Sequence, residues 1–179
     1  MKKAKKLLSV LAVMLLIVCM AVPVSAAGKI SKSKATLLTG QTLQLKLSGT
    51  KGKTKWTSSK KSVATVSGSG KVTAKKSGSA TITAKVGKKK YSCKVTVESP
   101  KLSKKSLTLK VGETSTIKVK GTKQTVKWKS SKKSVVTVKN GKITAKKAGT
   151  ANITATILGK KFTCKVTVKK ASNGGFSGN

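Results

Sequence analysis

The chain has no histidine, no aspartate and no arginine, and its only acids are Glu98 and Glu113. Without His or Asp, neither a Ser-His-Asp nor a Cys-His nucleophile can be assembled. Two glutamates in different parts of the chain give no acid–base pair and no carboxylate cage for a metal within one domain. Aromatic residues make up 3% of the chain, so there is little material for a stacking platform or a large aromatic core. Outside the first 27 residues no stretch shows the 3.6-residue period of an amphipathic helix. Cysteine is scarce too: Cys19 lies near the N-terminus, which leaves Cys93 and Cys164 far apart in the rest of the chain.

Lysine is abundant, with 41 copies and a net charge of +39, and so is repetition. The stretch from Lys55 to Ala84 returns from Lys127 to Ala155, one residue shorter at a turn. Trp56 recurs 72 residues on as Trp128, and Ile82 recurs 71 residues on as Ile153. Leu37–Gly40 answers Leu109–Gly112, and Tyr91–Val97 answers Phe162–Val168. A period of this size means one structural unit written twice. The expected layout is a leader over 1–27, domains over 28–98 and 101–170, a two-residue linker at 99–100, and a Gly/Ser-rich disordered tail over 171–179.

The leader has the parts of a secretory signal: Lys2, Lys3, Lys5 and Lys6, then the apolar run Leu7–Val22, then Pro23. Val24-Ser25-Ala26 and Ser25-Ala26-Ala27 are the candidate cleavage sites. The run is short for a membrane span and small residues follow it at once, so cleavage is expected over retention as an anchor. Cleavage would leave 37 lysines against two acids, a mature charge of +35, with no transmembrane span. An exported chain with one cysteine per domain has no intradomain disulfide and must rest on its hydrophobic core.

Both repeats alternate apolar and polar residues at period two, the mark of half-buried strands. Leu43, Leu45 and Leu47 form one inward row; Ala80, Ile82, Ala84 and Val86 form a second; Tyr91, Cys93, Val95 and Val97 form a third. The second repeat keeps the scheme and adds Asn140-Gly141, a strong hairpin signal. Gly40, Gly112, Gly78 and Gly149 are read as turn glycines. About seven short strands per repeat predict an all-β fold of two sandwiches, each of two antiparallel sheets.

Particular residues also carry a family resemblance. Leu107–Glu113, Lys127–Ser131, Ser134–Val138 and Gly141–Ala151 with the Ile-Thr-Ala that follows resemble the group 2 bacterial immunoglobulin-like (Big) domain. Gly40, Trp56–Ser59, Val63–Val66 and Gly70–Ala84 repeat the pattern in the first copy. The resemblance implies two tandem Ig-like Greek-key sandwiches and a place on a bacterial cell surface or in the secreted fraction, as for intimin- and invasin-type adhesins. It implies no particular ligand.

Candidate sites are few. Ser-x-x-Lys at Ser31–Lys34 and Ser58–Lys61 follows from a composition rich in both residues. Cys93 and Cys164 have inward parity and read as small buried hydrophobes, not as exposed thiolates. Trp56 and Trp128 read as the large core rings of their sandwiches, with Ile82 and Ile153 beside them. No Asn or Asp lies between Ile30 and Val97 to form a Lys–Asn crosslink in the first repeat. Charge is the feature with functional weight. The candidate polyanion-binding lysines are Lys75, Lys76, Lys88, Lys89 and Lys90 in the first repeat, with Lys146, Lys147, Lys160 and Lys161 in the second. Lysine offers point charges, not the bidentate fork of arginine, so it favours charge density over sequence or stereochemical choice. The expectation is a monomeric, non-enzymatic, exported module that uses no cofactor. It would associate by charge with anionic wall polymer or acidic glycan and with no specific nucleic acid. A passive spacer and a loop-reading adhesin are the alternatives.

Overall fold

The computed structural model describes residues 27–171. The leader and the tail lie outside the described residues, apart from Ala27 and Ala171. Every regular element among the described residues is a strand. The first repeat runs β1 Lys29–Ile30, β2 Lys34–Leu38, β3 Thr42–Gln44, β4 Leu47–Ser48, β5 Lys55–Ser58, β6 Ala64–Val66, β7 Lys71–Ala74, β8 Gly78–Val86 and β9 Lys89–Glu98. The second runs β10 Lys101–Leu102, β11 Ser106–Lys110, β12 Thr114–Thr116, β13 Val119–Lys120, β14 Lys127–Ser130, β15 Val136–Lys139, β16 Lys142–Ala145, β17 Gly149–Ile157 and β18 Lys160–Lys169.

Each repeat is a sandwich. A four-stranded sheet in the order β2-β9-β8-β5 faces a three-stranded sheet β3-β7-β6, and β1 pairs with β4. The second repeat copies this as β11-β18-β17-β14, β12-β16-β15 and β10-β13. Two details depart from the sequence reading. There are nine strands per repeat against about seven expected, and one is added where the expected Leu43–Leu47 strand breaks at Leu45-Lys46: β3 pairs with β7, whereas β4 pairs with β1. One pairing in each large sheet is parallel, β2 with β9 and β11 with β18.

The two-residue alternation decides which side chains fill the space between the sheets. Leu45, Val72, Ile82, Cys93 and Val95 are fully buried in the first core; Ile143, Ile153, Cys164 and Val166 are fully buried in the second. Ile82 sits opposite Cys93 and Ile153 opposite Cys164 across the central hairpins. Each buried Ile or Val contributes about 1.5–3 kcal/mol.

Two of the expected turn glycines are placed otherwise. Gly40 and Gly112 occupy the β2–β3 and β11–β12 turns with φ of 86° and 88°. Gly78 and Gly149 are instead the first residues of β8 and β17. A Cβ added there would lie 3.0 Å from Val63 and 3.3 Å from Val135, so these glycines permit close packing at a strand start.

The domains meet through a short junction, with strand β9 ending at Glu98 and β10 starting at Lys101. Gln41 donates from its amide to the Leu158 carbonyl at 2.8 Å, and the Lys160 ammonium donates to the Thr39 carbonyl at 3.0 Å. The Glu98 carboxylate accepts from the Thr122 hydroxyl, from the Lys123 N–H at 3.3 Å and from the Gln124 amide at 3.3 Å. Pro100 is buried.

Candidate functional site

The two tryptophans do not stand at the sandwich centres. Trp56 and Trp128 are half-buried on β5 and β14, each an edge strand of its large sheet, and they pack against their cores from the side. Each lies opposite a small residue, Ala84 or Ala155, which leaves room for the indole. The ring then extends to the turn closing the neighbouring hairpin: a Cβ on Gly70 would come within 2.9 Å of Trp56, and one on Gly141 within 3.2 Å of Trp128. The Trp128 ring also borders an open groove with Lys127, Lys129, Lys133 and Val138.

Cys93 and Cys164 are unpaired and completely buried. Burial pushes both thiols above their ordinary pKa, an effect that Lys32 and Lys104 partly offset. A thiol kept protonated and out of solvent is a poor nucleophile. Among the described residues no cluster of three or more His, Cys, Asp or Glu could hold a metal, and no helix is long and apolar enough to cross a membrane.

The lysines carry the rest. Every lysine among the described residues is exposed. The nine singled out by sequence do not form one patch. Lys75 and Lys76 follow β7 at the Gly40 end of the first domain, whereas Lys88, Lys89 and Lys90 lie at the other end of β8. That strand has nine residues, so the two groups are about 30 Å apart. Lys146–Lys147 and Lys160–Lys161 are separated in the same way by β17, and Lys160 is engaged at the junction. Neither glutamate offsets the field freely: Glu98 holds the junction, and Glu113 accepts the Lys110 N–H at 2.8 Å.

The strand register reveals a grouping that linear reading missed. On the outer face of the first domain's large sheet, Lys55 stands opposite Lys85 and Lys85 opposite Lys90; farther along, Lys34 stands opposite Lys94. Outward parity at each position was readable from alternation. Their alignment was not, because it depends on how four strands distant in sequence are paired.

A solved structure shares the fold. A C-terminal 282-residue fragment of intimin, in complex with the intimin-binding domain of the translocated intimin receptor, matches at 16% identity with a TM-score of 0.56, covering 79% of this chain and 63% of that one. An intimin mutant from EHEC O157:H7 matches at 30% identity over 43% of this chain and 50% of its own, TM-score 0.37. Domains 1–6 of the surface layer protein SbsC match at 22% identity over 66% of this chain, TM-score 0.37, and the chain spans 20% of that fragment. No curated protein matches the chain in sequence. The model of the bacterial Ig-like domain (group 2) matches twice, over residues 26–97 and 96–169. The chain belongs to the bacterial Ig-like domain (group 2) family and carries two copies of that domain in tandem.

Proposed function

We propose that this chain is an exported, non-enzymatic Ig-like module that a bacterium holds at its surface by charge, through anionic wall polymer or acidic glycan. Family membership supports the surface placement, and the buried thiols and absence of His and Asp from the sequence support the non-enzymatic reading. The observation that carries the charge reading is the exposure of every lysine among the described residues beside only two side-chain carboxylates, both held in internal hydrogen bonds. Self-repulsion in such a shell opposes compactness, and a polyanion relieves it. Exposed charges act over a Debye length of about 8 Å at physiological salt, so closely set lysines present a nearly continuous positive field.

The test is binding to purified teichoic acid, heparin and DNA across a salt series. Counterion release makes log affinity fall linearly with log salt, with a slope that counts neutralised charges. The expected result is binding to all three at low salt and steep loss above physiological ionic strength. A chain that ignores all three at low salt is a spacer. One that holds a single ligand at high salt is a receptor-reading adhesin.

A further inference from the structure

The outer face of the first domain's large sheet carries an arrangement that is costly for folding alone. Antiparallel neighbours directly opposite one another have Cβ atoms about 4.5–5.5 Å apart, and like charges there are destabilising. Lys55, Lys85 and Lys90 nevertheless form an uninterrupted row across β5, β8 and β9. Lys34 and Lys94 form a second row across β2 and β9. Between the rows lie Thr57, Thr83 and Ser92, also in register. Outward positions recur every two residues, so the lysine rows are about 14 Å apart with a hydroxyl row midway. Lys34, Thr36, Lys94 and Thr96 border a shallow depression on this face.

The second domain supplies the control. At the positions equivalent to Lys85 and Lys34 it has Thr156 and Ser106. Lys127 and Lys161 therefore each face Thr156, and Lys165 faces Ser106. That face of the second domain also has Lys129 in place of Thr57 and opposes Lys110 to Lys169 at the end of the sheet, but no lysine row there runs across three strands. The same fold thus accommodates an interrupted pattern, and the three-strand row of Lys55, Lys85 and Lys90 is not required by the sandwich.

We infer that the outer face of the β2-β9-β8-β5 sheet is the polyanion site of this protein, and that it takes a flexible linear phosphodiester polymer laid over the two lysine rows. The inference rests on the charge-binding reading above and deepens it by placing the site. Closely set ammonium groups accept singly charged oxyanions without demanding a fixed geometry, as the planar guanidinium fork would. A flexible backbone can bring successive phosphates onto both rows, and the intervening hydroxyls can donate to ester oxygens or accept from polymer hydroxyls. A stiff sulfated glycan has less freedom to follow this grid.

The experiment uses the mature chain and purified poly(glycerol phosphate), with heparin as the second probe. The variant K55Q/K85Q/K90Q is compared with K127Q/K129Q/K161Q, which removes the same charge from the large sheet of the second domain. The first-domain variant is expected to lose at least ~10-fold in affinity at low salt and to reduce the salt slope by about 2. It should also melt higher, by about 2–5 °C, because opposed like charges are gone. The second-domain variant should lose less than ~3-fold. Equal losses in both overturn the placement while leaving charge binding intact. Tighter binding of heparin than of poly(glycerol phosphate) overturns the assigned ligand class. Failure of the unmodified chain to bind either polymer removes the charge reading itself, and the site with it.

Discussion

The two domains share a sequence, and they differ most plainly at the end where the first meets the second. Leu38 is fully buried, whereas its equivalent in the second domain is the exposed Lys110. Thr39, half-buried, is answered by Val111, 37% exposed. Gln41 and Glu113 do the same local work, each accepting a backbone N–H three residues earlier at 2.8 Å. Only the amide also has an N–H to give, and Gln41 gives it to Leu158 of the other domain. Glu98, which holds Thr122 and Gln124, is answered by Lys169. On the opposing surface Ile157 is fully buried, whereas its first-domain equivalent Val86 is partly exposed. The sandwich tolerates either member of each pair. The difference therefore maps the junction: apolar and bifunctional residues stand where a neighbour covers them, and lysine or valine stands at the uncovered end.

The largest test of this contrast is in the cores. Ile82→Ala and Ile153→Ala should each cost about 2–5 kcal/mol, since both side chains are completely buried. Urea unfolding followed through a single tryptophan, with Trp56→Phe or Trp128→Phe as the background, reports each domain separately. The junction predicts that weakening one domain also lowers the midpoint of its neighbour. An unmoved neighbour would show two independent domains and break the comparison.

A smaller effect is expected from the carboxylates. Glu98→Ala removes a charged acceptor from three donors across the junction and should cost about 1.5–3 kcal/mol, with the domains unfolding less cooperatively. Glu113→Ala, at the uncovered end, should cost about 1 kcal/mol or less and leave cooperativity unchanged. Calorimetry distinguishes these outcomes, and equal costs would remove the junction's special status.

The smallest effect concerns the turn at which Gln41 docks. Leu158 has a φ of 44°, in the left-handed region that a branched side chain adopts with strain, whereas the first domain has Gly87 at the equivalent place with a φ of 56°. Leu158→Gly should stabilise by about 0.5–1 kcal/mol, and Gly87→Leu should destabilise by about 1 kcal/mol. Chemical denaturation of the two variants reads the sign. A loss of stability in Leu158→Gly would show that the exposed leucine makes a contact worth more than its strain.

Much of this architecture was legible because strand alternation is local. Ile82, Cys93, Ile153 and Cys164 could be assigned inward from their immediate neighbours, and the repeat fixed the number of domains. What depended on distant pairing was not legible. Trp56 looked like a central ring, but β5 lies at a sheet edge, and edge position is a property of topology. Gly78 looked like a turn residue because glycine commonly punctuates turns, whereas here Val63 crowds a strand start. The lysine clusters that stand out in linear order, Lys75-Lys76 and Lys88–Lys90, are separated by the length of β8. The row Lys55, Lys85 and Lys90 is scattered in sequence and assembled only by register.

The parallel pairing in each sandwich has a mechanical consequence. In the first domain β2 lies alongside β9 over five register pairs, from Lys34–Lys94 to Leu38–Glu98; in the second, β11 lies alongside β18 from Ser106–Lys165 to Lys110–Lys169. These are strands near the entry and the exit of each domain, and they run in the same direction. Tension applied along the chain pulls one strand backward and the other forward, which loads the hydrogen bonds of the ladder in shear. All five pairs must then give way together, whereas a hairpin pulled open at its ends yields one pair at a time. Each domain is therefore wired to resist being drawn out under load, and the two stand in series along the line of pull.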